Sequence, residues 1–288
     1  MRLLRRLGFS LVMVAALASG CADSKSAREA NSGQEPGAGA GPQHIHGLGV
    51  RNDGLLIATH TGLWAAAPGQ TKAHRLGASK QDIMGFAVQR KNRLIGSGHP
   101  DPSQQQPPNL GLIESRDGGR SWKNVSLLGQ ADFHVLESSG PRVYGFDGTQ
   151  GRLMVSSDGG GSWRQRRPPA AMFSLAIDPS RADSVVTSTD RGLFRSDDAG
   201  KTFRPLRVQG QLAGLLAWPA VDDLFLVDGR GRVLRSHDRG DRWRPVGSIG
   251  GQPSAFIAHG RELYAALGNN TVKRSTDGGR SWTVRSGP

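Results

Sequence analysis

Cysteine is almost missing from this sequence: Cys21 is the only one among 288 residues, so no disulfide can form within the chain and stability must come from packing. Aromatic residues make up only 6% of the chain, and no segment has the apolar periodicity of a long helix. The apolar run 7–17 is too short for a comfortable membrane span. The chain does contain 41 glycines and 16 prolines, which cut it into short apolar runs. This pattern is typical of an all-β fold.

The N-terminal segment is typical of an export signal. Three arginines within the first six residues precede the apolar run 7–17, and small residues then lead to Cys21. The segment resembles a bacterial lipoprotein signal, in which the cysteine is acylated, although Ala18 stands where leucine is commonest. Residues 1–21 are therefore predicted to be a lipoprotein signal peptide, with Cys21 as the lipidation site on the outer face of a bacterial membrane. The alternative is an ordinary signal peptide with an incidental cysteine.

The following segment and the charge add little about chemistry. Residues 22–43 are rich in Gly, Ala, Ser and Pro, which predicts a flexible tether. The formal net charge of +13 falls by three, to +10, when the arginines of the signal are removed. The remaining arginines are scattered and accompany no nucleic-acid-binding motif. We therefore expect a monomer held at the membrane by its lipid, with no nucleic acid partner.

Self-similarity is the strongest signal in the sequence. Five segments share or approach the pattern S-x-D-x-G-x-[ST]-W, with Phe203 replacing Trp in the third and Arg242 replacing the hydroxyl residue in the fourth. Their aspartates recur every 39 to 41 residues, a period that suits a four-stranded propeller blade. These aspartates are Asp117, Asp158, Asp198, Asp238 and Asp277.

The five segments resemble the boxes of the BNR/Asp-box repeat propellers, a group that includes sialidase-like and glycosyl-hydrolase-like proteins. The resemblance extends from about residue 43 to the C-terminus. It implies a turn between the third and fourth strands of each blade, with the Trp starting the outer strand and packing against its own blade. An Asp side chain can accept hydrogen bonds from turn N–H groups, and Gly can adopt the left-handed conformation. We therefore interpret the five aspartates as structural.

The repeats predict a β-propeller over residues 44–288. Stepping back from Asp117 reveals a first repeat whose box is lost, so we count six four-stranded blades, or seven if one more has unusual sequence. The second repeat is longer because His99–Asn109 is inserted between its second and third strands. The repeats are expected to begin near His44, Asp82, Asp132, Met172, Gln211 and Gln252.

Polar residues of blades one to three are predicted to meet on one face. Adjacent strands are antiparallel, so the start of a first strand and the end of a second strand lie at the same edge. Five of the eight histidines fall at these positions, and the later blades have no equivalent. The prediction depends on the strand register. The residues are His44, His46, His60, His99 and His134, together with Asp82, Asp101, Asp132 and Met84.

Three interpretations of this face are open. The histidines could bind a transition metal; copper or zinc is the expected ion, and Met84 favours copper. Alternatively, Asp82, Asp132 and His134 could be catalytic groups that perform acid–base chemistry on a sugar or another ligand. In the third interpretation, these polar groups only bond to one another and to water.

The family resemblance also implies an exo-sialidase, but few residues support it. The sequence has no Arg-Ile-Pro segment and no arginine set that resembles the carboxylate-binding triad. Both tyrosines, Tyr144 and Tyr264, fall in predicted second strands, where Glu262 could pair with Tyr264. A glycosidase that uses two carboxylates is also open, although nothing in the spacing selects a pair.

A non-catalytic binding or assembly platform for a protein or glycan is the remaining alternative. The flexible tether and the proline-rich insertion are compatible with docking a partner, and some propellers with such boxes resemble photosystem-assembly proteins. A shared fold does not define an activity. The sequence therefore favours metal or ligand binding over hydrolysis and leaves open whether the protein is an enzyme.

Overall fold

The computed structural model describes residues 41–90, 93–208 and 212–288. The predicted signal peptide, Cys21 and most of the predicted tether lie outside these residues. The described part consists of strands joined by turns and contains no helix. Accordingly, it contains no helix long and apolar enough to cross a membrane.

The strands form six antiparallel sheets of four, and each sheet uses four strands that are consecutive in the chain. Blades one to three contain β1 (Ile45–Arg51), β2 (Gly54–Thr59), β3 (Gly62–Ala66), β4 (His74–Arg75), β5 (Asp82–Arg90), β6 (Arg93–His99), β7 (Leu112–Ser115), β8 (Lys123–Ser126), β9 (Phe133–Ser139), β10 (Arg142–Asp147), β11 (Arg152–Ser156) and β12 (Arg164–Arg166). Blades four to six contain β13 (Met172–Asp178), β14 (Arg181–Thr189), β15 (Gly192–Ser196), β16 (Arg204–Pro205), β17 (Gly214–Ala220), β18 (Asp223–Asp228), β19 (Arg232–Ser236), β20 (Arg244–Ser248), β21 (Pro253–His259), β22 (Glu262–Leu267), β23 (Val272–Ser275) and β24 (Thr283–Ser286).

This arrangement is a six-bladed β-propeller, so the predicted fold, the count of six and the degenerate first blade are confirmed. The recurring turns lie between the third and fourth strands, as predicted.

The hydrophobic core lies between the blades. Six buried clusters each combine residues from two neighbouring blades. Alternate residues of a second strand face opposite neighbours: Leu55 and Ile57 pack toward blade six, whereas Leu56 and Ala58 pack toward blade two. Each blade is therefore stabilised on both faces.

The recurring turn is built by hydrogen bonds within the motif. Asp158 Oδ1 accepts from the Ser162 N–H at 2.9 Å, and Asp158 Oδ2 accepts from the Ser162 hydroxyl at 2.6 Å. These bonds lower the pKa of Asp158, the hydroxyl contributing most. Gly160 has a φ of +97°, and a Cβ there would lie 2.1 Å from Leu112 of the preceding blade. The turn therefore needs its aspartate and glycine for structure.

The tryptophan after the blade-three turn, Trp163, connects two blades. Trp163 Nε1 donates to the Ser126 hydroxyl of the preceding blade at 2.9 Å, and its ring centroid lies 5.0 Å from that of Phe133 in its own blade. The expected packing against its own blade is thus confirmed for Trp163, which also contacts the preceding blade.

Blade six closes the ring onto blade one, where no box is present. Arg285 donates to the carbonyl oxygens of Gln70 at 2.6 Å and Ala67 at 3.1 Å, and the Ser286 hydroxyl donates to that of Thr71 at 2.9 Å. The segment after β3 thus accepts bonds from the last strand of the chain. No strand is shared between the two blades, so closure depends on side-chain contacts and on a backbone bond from the Gly287 N–H to the Thr71 carbonyl oxygen at 3.2 Å.

Candidate functional site

Three residues of the predicted face lie at irregularities in the first strands. In five blades the first strand has a β-bulge near its start, which leaves one residue unpaired and redirects its side chain. The first three blades place two histidines and a methionine there, while later blades place a half-exposed phenylalanine or a serine. The bulged residues are His46, Met84, His134, Phe173 and Ser254.

Blades one and two bring His46, His60 and Asp82 together. His60 Nδ1 lies 2.7 Å from Asp82 Oδ2, and His46 Nε2 lies 3.7 Å from Asp82 Oδ1. The two imidazole rings are perpendicular, with centroids 4.4 Å apart. One ligand atom from each of the three residues lies within 4.8 Å of the others. The His44 ring joins this group at 4.9 Å from His60.

Two atoms of this cluster are buried without a hydrogen-bond partner among the described residues, His46 Nε2 and Asp82 Oδ1. Burial, followed by the neighbouring His60, lowers the pKa of His46 in spite of Asp82. The imidazole is therefore neutral at pH 7. Unpartnered buried polar atoms are unusual in native structures, so a ligand that bridges these two would be stabilised.

A second cluster forms between blades two and three around the buried carboxylate of Asp132. Asp132 Oδ2 lies 2.8 Å from His134 Nε2 and 3.5 Å from His99 Nε2. The hydrogen bond with Asp132 raises the pKa of His134. His99 Nδ1 lies 2.9 Å from the Pro108 carbonyl oxygen, which can only accept, so the ring proton sits on Nδ1. The insertion thus orients one imidazole of this cluster.

Three positions that support the site were missed in the sequence. They are Pro108, Gly148 and Asn270. A Cβ at Gly148 would lie 2.5 Å from His134 Nδ1, so the imidazole occupies the space of a side chain. Asn270 Oδ1 accepts the His44 N–H at 3.0 Å from blade six. The only local signal was a glycine directly after β10.

The other candidate residues lie apart from these clusters or complete the bulge pattern. The two Asp101 oxygens accept from the N–H groups of Lys80 at 2.8 Å and Ser103 at 3.0 Å, so this carboxylate holds the inserted loop. Met84 occupies the blade-two bulge. His74 lies in the outer strand of blade one, as predicted.

Both tyrosines are buried in the structure. Tyr144 is 0% exposed and donates to the Ala182 carbonyl oxygen at 2.8 Å. Tyr264 is 4% exposed and donates to Glu262 at 2.5 Å, so the expected pairing is confirmed. Burial raises the pKa of Tyr264 to about 12. Neither hydroxyl is accessible as the nucleophile that a sialidase would need.

The fold and these clusters define the class as a six-bladed β-propeller with imidazole–carboxylate groups on one face. No family model matches the chain. A similar curated protein is the dispase autolysis-inducing protein of Streptomyces mobaraensis, 30% identical over 103 residues. The match covers 35% of this chain and only 26% of that protein.

Solved structures with a similar fold have varied functions. A chain of the nidogen/laminin complex has a TM-score of 0.65 and 15% identity, and the match covers 82% of this chain and 93% of that one. The GH74 xyloglucanase from Xanthomonas campestris has a TM-score of 0.56 and 17% identity, covering 85% and 45%. YCF48 bound to D1 peptide has a TM-score of 0.50 and 16% identity, covering 80% and 77%. At these identities the likeness establishes the propeller fold alone.

Proposed function

We propose that this protein binds a transition metal ion, zinc or copper, at His46, His60 and Asp82. The observation that carries the proposal is the pair of buried, unpartnered atoms, His46 Nε2 and Asp82 Oδ1, which lie 3.7 Å apart beside His60. Two imidazole nitrogens and one carboxylate oxygen form a donor set that suits such ions, with bonds of about 2.0–2.2 Å for zinc. A water molecule is the competing partner for the same two atoms.

The electrostatics of the cluster support this function. Metal ligation requires neutral imidazole and ionised carboxylate, and the lowered pKa of His46 keeps its ring in the required form. His134 contributes to lowering the pKa of His46, and Asp82 contributes to raising that of His134, so the two clusters share one electric field.

The proposal includes family and location. The five recurring turns support membership of the BNR/Asp-box repeat propellers. The basic and apolar head, Cys21 and the polar segment 22–43 support export and lipid anchoring on the outer face of a bacterial membrane.

A binding platform for a protein partner is the second candidate function. The observation that favours it is that similar propellers occur in the nidogen/laminin complex and in YCF48 bound to D1 peptide. A glycoside hydrolase has less support: the xyloglucanase shares the fold, but both tyrosines are buried and Asp101 is held in loop bonds.

Metal content of the purified protein tests the proposal. After exposure to zinc or copper and removal of loosely bound ion, we expect about one ion per chain. The double variant His46→Ala, His60→Ala should lose it, because only one of the three donors remains. Asp132→Asn should retain the ion, which would assign it to the first cluster. Inductively coupled plasma mass spectrometry gives the ratio.

The matched control is His74→Ala with His259→Ala, which removes two histidines that lie away from the face. Thermal unfolding followed by circular dichroism shows that each variant is folded. Failure of the wild-type protein to retain either ion, or equal retention by the cluster variant and the control, would refute the metal site.

A further inference from the structure

The propeller encloses a central cavity of about 740 Å³ that opens away from the two histidine clusters. Its walls are the middle and final residues of the six first strands, whereas the clusters lie at the starts of those strands. The volume falls within the range of about 300–1,000 Å³ that is usual for small-molecule sites.

At one height along the axis, which we call a level, each of the six first strands contributes one equivalent residue to the cavity wall. Only one of these six residues is polar. These residues are identified by the strand register, because each one pairs with the equivalent residue of the second strand in its own blade. Five of the six residues are apolar and four of these are Gly or Ala, which leaves space at the axis; the sixth is a glutamate. The residues are Gly49, Ala87, Glu137, Ala176, Ala217 and Ile257, and all six line the cavity.

The Glu137 carboxyl has neither a hydrogen bond nor an ion pair with any described residue. Burial raises the pKa of this carboxyl to about 8. The other titratable groups of the cavity wall are Arg51, Asp53 and His259, which lie at or beyond the ends of first strands. The Arg51 guanidinium lies against Gly118 in the turn of blade two, where a Cβ would be 2.6 Å away. It is therefore engaged away from the axis.

We propose that this cavity binds a small organic cation, a primary amine or guanidinium on an apolar body, with its charged group on Glu137. The Gly, Ala and Ile residues of this level accept the body, and a single carboxylate without a partner among the described residues can pair with the charged group. A metal ion fits less well, because it needs several donors and this level offers one carboxylate among apolar residues. The proposal is independent of the metal site on the opposite face.

Proton release is the expected signature of this binding. At neutral pH the Glu137 carboxyl holds a proton, which the cation must displace, so the affinity should rise with pH up to about pH 8. Below that pH the affinity should fall by about tenfold per pH unit, since the ionised fraction falls by that factor. A neutral molecule of the same shape should show no such dependence.

Calorimetric titration with 2-phenylethylamine and 2-phenylethanol between pH 6 and 9 tests the proposal. We expect the amine to bind more tightly than the alcohol above pH 7, with release of up to one proton in buffers of different ionisation enthalpy. Glu137→Gln should weaken amine binding at least tenfold and leave alcohol binding unchanged. Glu114→Gln, a matched change outside the cavity, should have no effect.

The proton count on the wild-type protein needs no variant, so it answers the question even if Glu137→Gln is poorly folded. Absence of amine binding at every pH overturns the proposal. Equal binding of amine and alcohol, or unchanged amine binding by Glu137→Gln, overturns it as well.

Discussion

Single residues of the same type have opposite electrostatic roles in this molecule. Glu137 faces the central cavity without a partner, and burial raises its pKa to about 8. Glu114, on β7, accepts from Arg116 at 2.7 Å and Arg93 at 2.6 Å, and these bonds, that from Arg116 first, lower its pKa. Folding therefore favours the protonated form of one carboxyl and the ionised form of the other.

The two glutamates predict opposite pH dependence of stability. The raised pKa of Glu137 means that its contribution is fully present below about pH 4.5 and is lost as the pH rises through about 8. Glu137→Gln removes this loss, so the variant should gain stability relative to the wild type between pH 5 and 9. Glu114→Gln should lose stability relative to the wild type above about pH 4.5. Denaturant unfolding at several pH values measures both, and parallel curves for wild type and Glu137→Gln would contradict the assignment.

At the scale of elements, the recurring turns occupy equivalent places in their blades but differ in the number of hydrogen bonds that their aspartates accept. Asp198 accepts from the Thr202 N–H at 2.9 Å and from its hydroxyl at 2.6 Å. Asp238 accepts the corresponding N–H from Arg242 at 2.8 Å, but the arginine has no hydroxyl to donate. The fifth-blade turn therefore lacks one of the bonds that stabilise the others.

Restoring that bond should stabilise blade five. Arg242→Ser is expected to raise the free energy of unfolding by about 0.5–1 kcal/mol, the usual net value of an added hydrogen bond at a partly exposed site. Thr202→Val, which deletes the same bond in blade four, should lower it by a similar amount. Arg242→Ala separates loss of the arginine from gain of the hydroxyl. The interpretation fails if the serine and alanine variants unfold at the same denaturant concentration.

For the whole molecule, stability depends on joining the last blade to the first. Each of the six hydrophobic clusters joins two neighbouring blades. In the later blades the Asp-box turn also packs against the preceding blade, but blade one has no such turn to pack against blade six. Arg285 and Ser286 replace it by donating to carbonyl oxygens of the segment after β3. These bonds link positions that are more than 200 residues apart in the chain.

Removing this link should open the ring. Arg285→Met keeps an apolar stem but leaves the carbonyl oxygens without their charged donor, and we expect a loss of about 1.5–3 kcal/mol. Amide hydrogen exchange should increase first in β3 and β24, the strands beside the junction. Arg164→Met is the matched control, because the exposed side chain of this arginine on β12 makes no hydrogen bond or ion pair with a described residue. Equal stability of the two variants would show that the Arg285 bonds are not needed to close the propeller.

Much of the fold could be derived from the chain alone because every blade is local. Its four strands are consecutive, so the recurring S-x-D motif reports the position of each third-to-fourth turn, and the spacing reports the blade count. Antiparallel alternation was also sufficient to assign His46, His60 and Asp82 to one edge. Local pattern and repetition carried these predictions.

Contacts between blades could not be derived in this way. Which histidine meets which carboxylate depends on bulges that shift the pairing by one residue, and no composition marks them. Asp101 left the predicted group because its loop folds back onto Lys80. Nothing in the local sequence of β9 distinguishes Glu137 from other polar strand residues, because the cavity that it lines is formed by all six blades. Its raised pKa arises where six blades meet at a shared axis, which is a property of the closed ring and of no single repeat.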